Sequence, residues 1–207
     1  MHIKLEDTPI WDKVRTMYEE SPGFVRAYHT FQHAQDVLNR VDEVQRSIGF
    51  VNYNAARIAA LFHDVVYIPN SSYNEHESSR VMMDLMTNIP GVSTSDIYQA
   101  RSLIIFTSNH TANQGFYSEW DTMLFLDCDL LGFGLSWEEY LKNNDQIDRE
   151  FRSAKNFDER RYNSERIEFL KTLYRKGVFR SPYFRKLYEE KALSNIRNYL
   201  KELGIIV

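Results

Sequence analysis

His63 and Asp64 stand side by side at the end of an apolar run, Ala55-Ala56-Arg57-Ile58-Ala59-Ala60-Leu61-Phe62. Thirty residues earlier comes His33, and far downstream Asp127 and Asp129 punctuate Phe125-Leu126-Asp127-Cys128-Asp129-Leu130-Leu131. Imidazole and carboxylate groups inside apolar segments are costly unless something compensates them. One divalent metal ion accounts for His33, His63, Asp64 and Asp129 together. Each neutral imidazole donates a nitrogen, and each carboxylate supplies oxygen and offsets charge. Two His and two Asp ligands leave positions for water and substrate on a six-coordinate ion. The mixed nitrogen and oxygen set favours a transition metal over calcium. Mn and Fe(II) come first, with Co, Ni, Zn and Mg also compatible. A water on such an ion has a lowered pKa and can attack phosphorus.

A lone helical histidine is usually a structural residue satisfied by a hydrogen bond. The joint pattern argues otherwise. Five of the six histidines, His29, His33, His63, His76 and His110, lie near helix ends or at core-facing positions. Asp127 and Asp129, two apart on a helix, point to different sides. One is expected to be the ligand, and the other orients a ligand histidine or caps a helix.

These residues must be positioned by helices, because helical periodicity dominates the chain. A first helix is expected from Thr8 to Glu20, stopping at Ser21-Pro22-Gly23. A second runs from the N-cap Thr30 to about Ser47, with Val37, Leu38, Val41 and Val44 as its apolar stripe and His33 on the same face. Asn52 caps a third, from Tyr53 to about Val66, apolar nearly all round. Further helices are expected over Asn74–Thr87, Ser95–Ser108, Glu119–Leu131, from Ser136 past Phe151, Glu159–Arg175 and Pro182–Leu203. Ser136-Trp137-Glu138-Glu139 is a capping box. Residues 109–118 read as a loop, and only Tyr67-Ile68 and Ile205-Ile206-Val207 read as extended. The expectation is one all-α domain over 1–207, with its metal-site core at 26–131 and C-terminal helices at 136–204.

Composition bounds the rest. A chain of 207 residues with 43% hydrophobic and 26% charged residues is ordinary for a soluble globular domain. The net charge of -4 leaves no broad cationic footprint for nucleic acid, although a nucleotide held by a metal and a few arginines remains compatible. The single cysteine, Cys128, excludes an internal disulfide and a Cys-x-x-Cys zinc site. The N-terminus lacks a signal-like apolar stretch, and no window is long and apolar enough for a spanning helix. A cytoplasmic protein with no membrane partner is expected. The 14% aromatic content serves a core or a homo-oligomer interface equally.

The pattern of a His, an adjacent His-Asp pair and a distant Asp resembles the HD superfamily of metal-dependent phosphohydrolases, which are all-helical. That resemblance spans roughly residues 26 to 131 and selects Asp129 over Asp127. The stretch Tyr28-His29-Thr30-Phe31-Gln32-His33-Ala34-Gln35-Asp36-Val37 is also similar to the first motif of cyclic-nucleotide phosphodiesterases. That likeness implies a general-acid role for His29 and a ligand role for His33. A wider likeness, to small bacterial and phage-type HD hydrolases, runs through Phe62 to Tyr67, Asn74-Glu75, Ser78, His110, Phe125 to Leu130, Gly132 and Arg149-Glu150-Phe151. It lacks the charged pair that follows His-Asp in alarmone hydrolases, having Val65-Val66-Tyr67 instead.

Together these features imply hydrolysis of a phosphoester in a nucleotide or related small phosphate. His29 and Asp64 are the catalytic candidates, and Asp64 both binds metal and positions the nucleophile. Tyr28, Glu75, His110 and Arg149 are candidate substrate-binding residues. Tyr67 is a further pocket-wall candidate, and Glu77, Arg160 and Arg161 are weighed against ordinary surface charge. His76 reads as a surface residue, and Trp11, Trp120 and Trp137 as core or interface. With His110 the only extra histidine available for a second ion, a mononuclear site is favoured. Two rivals stand beside this reading. One is a diiron oxygenase, which needs more His ligands. The other is a non-catalytic, metal-stabilised binding or regulatory protein.

Overall fold

The structure is a computed structural model that describes residues 2–20, 23–111 and 119–206. Nine α-helices and no strands occur among the described residues. They are α1 (Pro9–Glu19), α2 (Phe31–Ser47), α3 (Tyr53–Phe62), α4 (Asn74–Met86), α5 (Thr94–Phe106), α6 (Trp120–Leu130), α7 (Trp137–Arg152), α8 (Glu159–Lys176) and α9 (Pro182–Glu202). Short 3-10 turns lie over Leu5–Asp7, Thr107–Asn109 and Leu131–Gly134. No helix among the described residues is long and apolar enough to cross a membrane.

The starts follow local chemistry. Pro9 opens α1, where its missing N–H is not needed. The Thr30 and Asn52 side chains accept from the backbone N–H groups of His33 and Ala55. Ser93 with Asp96, and Ser136 with Glu139, form reciprocal capping boxes at α5 and α7. Every residue of α3 from Ala55 to Phe62 is buried, and the helix packs between α2 and α5. Its one charged member, Arg57, is held by Asp42 at 2.6 Å and Glu6 at 2.6 Å.

One contiguous apolar core draws on α1 to α6, α8 and α9. By contrast, α7 buries Tyr140, Asn144 and Glu150, an inward face that is polar at two of three positions. The 131–134 turn lies on α9 so closely that a Cβ at Gly134 would meet the Tyr188 Cβ at 2.9 Å. That packing fixes the end of α6, on which Asp127 and Asp129 sit.

Three expectations need correction. The third helix ends at Phe62, not Val66. The His63 N–H still bonds the Ala59 carbonyl, but beyond it side chains replace the helical partners. The Arg26 guanidinium donates to the Asp64 and Val65 carbonyls, and Ser78 Oγ both accepts from Val66 N–H and donates to its carbonyl. Tyr67-Ile68 forms no strand, because Asn74 clamps both the N–H and the carbonyl of Ile68. Ile205-Ile206 is not a strand either: the Ile205 N–H folds back onto the Leu200 carbonyl. The expected stop at Ser21-Pro22 and residues 112–118 of the expected loop lie outside the described residues.

Candidate metal centre

Helix starts and ends bring the site together. His33 lies in the first turn of α2, beyond its Thr30 cap, while His63 closes α3 and Asp64 follows it. Asp129 is the penultimate residue of α6, and His110 follows the 3-10 turn after α5. One donor atom from each of His33, His63 and Asp64 lies within 4.8 Å of the others. His63 Nε2 is 2.9 Å from Asp64 Oδ2 and 3.3 Å from His33 Nε2. Asp129 Oδ1 lies 3.2 Å from His33 Nε2 and 3.5 Å from His63 Nε2. Its other oxygen is 3.1 Å from His110 Nε2. All five side chains are buried or nearly so.

The donor set fits a cation. His63 Nδ1 lies 3.0 Å from the Ala60 carbonyl, which can only accept. The Nδ1 atom therefore carries the hydrogen, and a neutral ring turns the Nε2 lone pair toward Asp64 and His33. Lone pairs and carboxylates then converge on one point, which demands positive charge there. Burial pushes the His63 imidazole down, yet the charges of Asp64 and Asp129 outweigh it and hold its pKa well above the ordinary value. Burial alone would raise both carboxyls, but nearby imidazoles, His63 first, reverse this and hold Asp64 and Asp129 well below the carboxylate range. A divalent ion supplies the same compensation as a proton on His63, with donor atoms of His33, His63 and Asp64 already gathered and Asp129 Oδ1 beside the two imidazoles. The cluster can hold a metal ion.

A cavity of about 180 Å³ and another of about 200 Å³ both touch Tyr28, His33 and Asp129. The second also contains Asp64, His29, Tyr67, Glu75 and His110. Here His29 stacks on Tyr67, with ring centroids 3.9 Å apart. Its Nδ1 lies 2.5 Å from Glu150 Oε1. The second Glu150 oxygen accepts from the backbone N–H groups of Ala27, Tyr28 and His29 at 2.9, 2.9 and 3.1 Å. Burial would raise the Glu150 carboxyl; the His29 hydrogen bond, the His29 charge and the backbone donors instead lower it. Glu75 is pushed up, by burial first and then by the charge of Asp64.

Other candidates fall elsewhere. Arg149 is exposed and does not line the cavity; Arg160 and Arg161 are exposed too, and Arg161 pairs with Glu165 at 2.8 Å. At about 100° per residue, Arg149 stands opposite Tyr140 on α7. Glu77 pairs with Arg80 and His76 is exposed. Trp11 packs on the core, Trp137 stacks on Tyr140, and Trp120 donates from Nε1 to the Gly49 carbonyl. Asp127 is turned away from the cluster and accepts from Arg180 N–H at 2.7 Å and Ser181 N–H at 2.8 Å, at the start of α9. Burial pushes its carboxyl up to about 6 against those donors.

Two residues of this neighbourhood escape a reading from sequence. Glu150 lies in the Arg149-Glu150-Phe151 segment, where the sequence points to its charged neighbour Arg149. Arg166 was one of many basic residues in α8. Its signal is periodic: it falls four residues after Tyr162 and four before Leu170, both buried. Comparison with protein-family models, with curated proteins and with solved structures finds no match for the chain.

Proposed function

We propose that the chain is a metal-dependent phosphohydrolase of the HD type, acting on a phosphoester of a nucleotide or a related small phosphate. The observation that carries this reading is the sharing of one cavity by His33, Asp64 and Asp129 of the cluster and by His29, whose Nδ1 is held from behind by Glu150. A structural metal site needs no second, separately oriented imidazole facing the same space.

His33, His63, Asp64 and Asp129 would hold the ion, with Mn or Fe(II) first. When bound, a divalent ion supplies electrophilic polarisation of a phosphoryl group and a more acidic water. The rest is done by the chain. Glu150 holds Nδ1 of His29, so Nε2 is the ring atom left to pass a proton to the leaving oxygen. Stacking on Tyr67 fixes the plane of that ring. Tyr28 and Tyr67 wall the cavity and limit water around the leaving group. Glu75 lies at the same cavity and can accept from a water or a substrate hydroxyl.

The test is metal analysis of protein purified without chelator, followed by turnover of a panel of phosphoesters. Metal near one ion per chain with turnover of a phosphoester, and loss of both in Asp64→Asn with the helical spectrum retained, is expected. Metal without turnover of any phosphate would move the reading to a metal-stabilised binding protein. Unchanged activity and metal content in Asp64→Asn would sink it.

A further inference from the structure

Arg166 reaches the cavity from α8. Its Nη2 donates to Asn144 Oδ1 at 2.6 Å, and its guanidinium lies 5.7 Å from the centre of the Phe169 ring. Its Nε is buried and has no hydrogen-bond partner. No carboxylate pairs with it among the described residues, whereas Arg161 and Arg175 on the same helix each pair with a glutamate. Asn144 is itself fixed by donating to the Tyr140 carbonyl at 2.8 Å. The guanidinium is thus anchored at one nitrogen and stacked on one face, with a second donor left over. A buried donor without an acceptor is destabilising, and a cationic one more so. An anion in the cavity is the natural acceptor.

We propose that Arg166 is the anion-recognising residue of this cavity and that it selects a terminal phosphomonoester over a phosphodiester. The choice of a phosphate ester rests on the phosphohydrolase reading; the anion site rests on the cavity and on Arg166 alone. A terminal phosphoryl group has three non-bridging oxygens, enough to meet both the His and Asp cluster and the guanidinium. A diester has two, and carries a substituent on each side of phosphorus. The cavity holds about 200 Å³, below the roughly 300–1,000 Å³ of sites that enclose whole small molecules. It admits a phosphoryl end, with the remainder of the molecule at its mouth. The planar guanidinium suits two oxygens of one phosphoryl group, which a lysine ammonium cannot grip in the same way.

Titration calorimetry of the full chain with inorganic phosphate and with dimethyl phosphate tests this, on Mn-loaded and on chelator-treated protein. Phosphate is expected to bind the wild type, and Arg166→Met to weaken it by about tenfold or more with metal content unchanged. Arg166→Gln, which is shorter than arginine but leaves a polar, neutral N–H donor on this face of α8, is expected to weaken it equally and guards against a folding defect in the methionine variant. Dimethyl phosphate is expected to bind about tenfold more weakly than phosphate and to be indifferent to either substitution. Phosphate affinity unchanged in both variants, or no phosphate binding by the wild type in either state, would overturn the anion site. Equal affinity for the two probes would overturn the selectivity. A wild type that holds no metal defeats only the metal reading, because the chelator-treated comparison still decides the role of Arg166.

Discussion

Glu150 Oε1 lies 2.5 Å from Nδ1 of His29, joining residues 121 positions apart in the chain. Its partner oxygen gathers three consecutive backbone N–H groups from the segment entering α2. One wholly buried carboxylate therefore fixes both the backbone before α2 and the ring beside it. Local structure and candidate chemistry share a single group.

Glu150→Gln is expected to lose about 3 kcal/mol of stability at neutral pH, because the amide cannot accept all four hydrogen bonds. The Glu150 pKa is lowered in the folded chain, so its contribution is present above the ordinary value of 4.5 and disappears as pH falls through the lower folded value. The gap between wild type and variant in urea unfolding should therefore be full near neutral pH and shrink on acidification below 4.5. A gap that stays constant into acid would show that the buried group is not an ionised carboxylate paired with His29.

Much of this arrangement was legible because helices announce themselves. Thr30, Asn52 and Ser136 act as the caps their types suggest, and the stripe of Val37, Leu38, Val41 and Val44 is buried as its spacing requires. His33, His63, Asp64 and Asp129 converge because each stands at or near a helix end on an inward face. What was not legible depends on contacts distant in sequence. The α3 ending is set by Arg26 and Ser78, whose reach no local pattern encodes. Glu150 and Arg166 look like ordinary charges in charged helices until α7 and α8 are laid against the cavity. Periodicity offered a clue in both cases, since Arg149 points away from the Tyr140 face while Arg166 lies on the buried stripe of α8.

Metal should stabilise the fold measurably. An ion that binds the folded chain but not the unfolded one adds about 2.7 kcal/mol when present at a hundredfold excess over its Kd. For a chain of this size that corresponds to a rise in Tm of about 5–10 °C. Differential scanning calorimetry with Mn, and again after chelation, would read it. His63→Ala should abolish the metal-dependent part, whereas an equal rise in His63→Ala and wild type would place the ion elsewhere.

Arg57 tests how the buried α3 tolerates a charge. Its side chain is 7% exposed and meets Asp42 and Glu6, whose side chains are 22% and 43% exposed. The network anchors α3 to α2 and to the N-terminal turn. Arg57→Met should destabilise the chain by about 2 kcal/mol, less than a fully buried pair because both acids reach solvent once released. Combining it with Asp42→Asn should give a loss well short of the sum of the two single losses. Strict additivity would mean that the pair is not coupled.

The two aspartates of α6 should separate cleanly. Asp127→Asn leaves an amide nitrogen facing one of the N–H donors of Arg180 and Ser181, and should cost about 1–2 kcal/mol while metal content stays at the wild-type level. Asp129→Asn should instead lose the metal. The pH dependence gives Asp127 a second signature. Burial raises its folded pKa from 3.8 to about 6, so the stability it contributes is fully present below 3.8 and is lost as pH rises through about 6. The stability gap between wild type and Asp127→Asn should therefore widen on acidification toward 3.8, the reverse of the trend expected for Glu150. The contrast has a physical origin, since Glu150 faces an imidazole that rewards its charge whereas Asp127 meets chiefly the dipoles at the start of α9. Urea unfolding of both variants across the same pH range measures it. If Asp127→Asn lost metal while Asp129→Asn kept it, the ligand assignment would have to be exchanged.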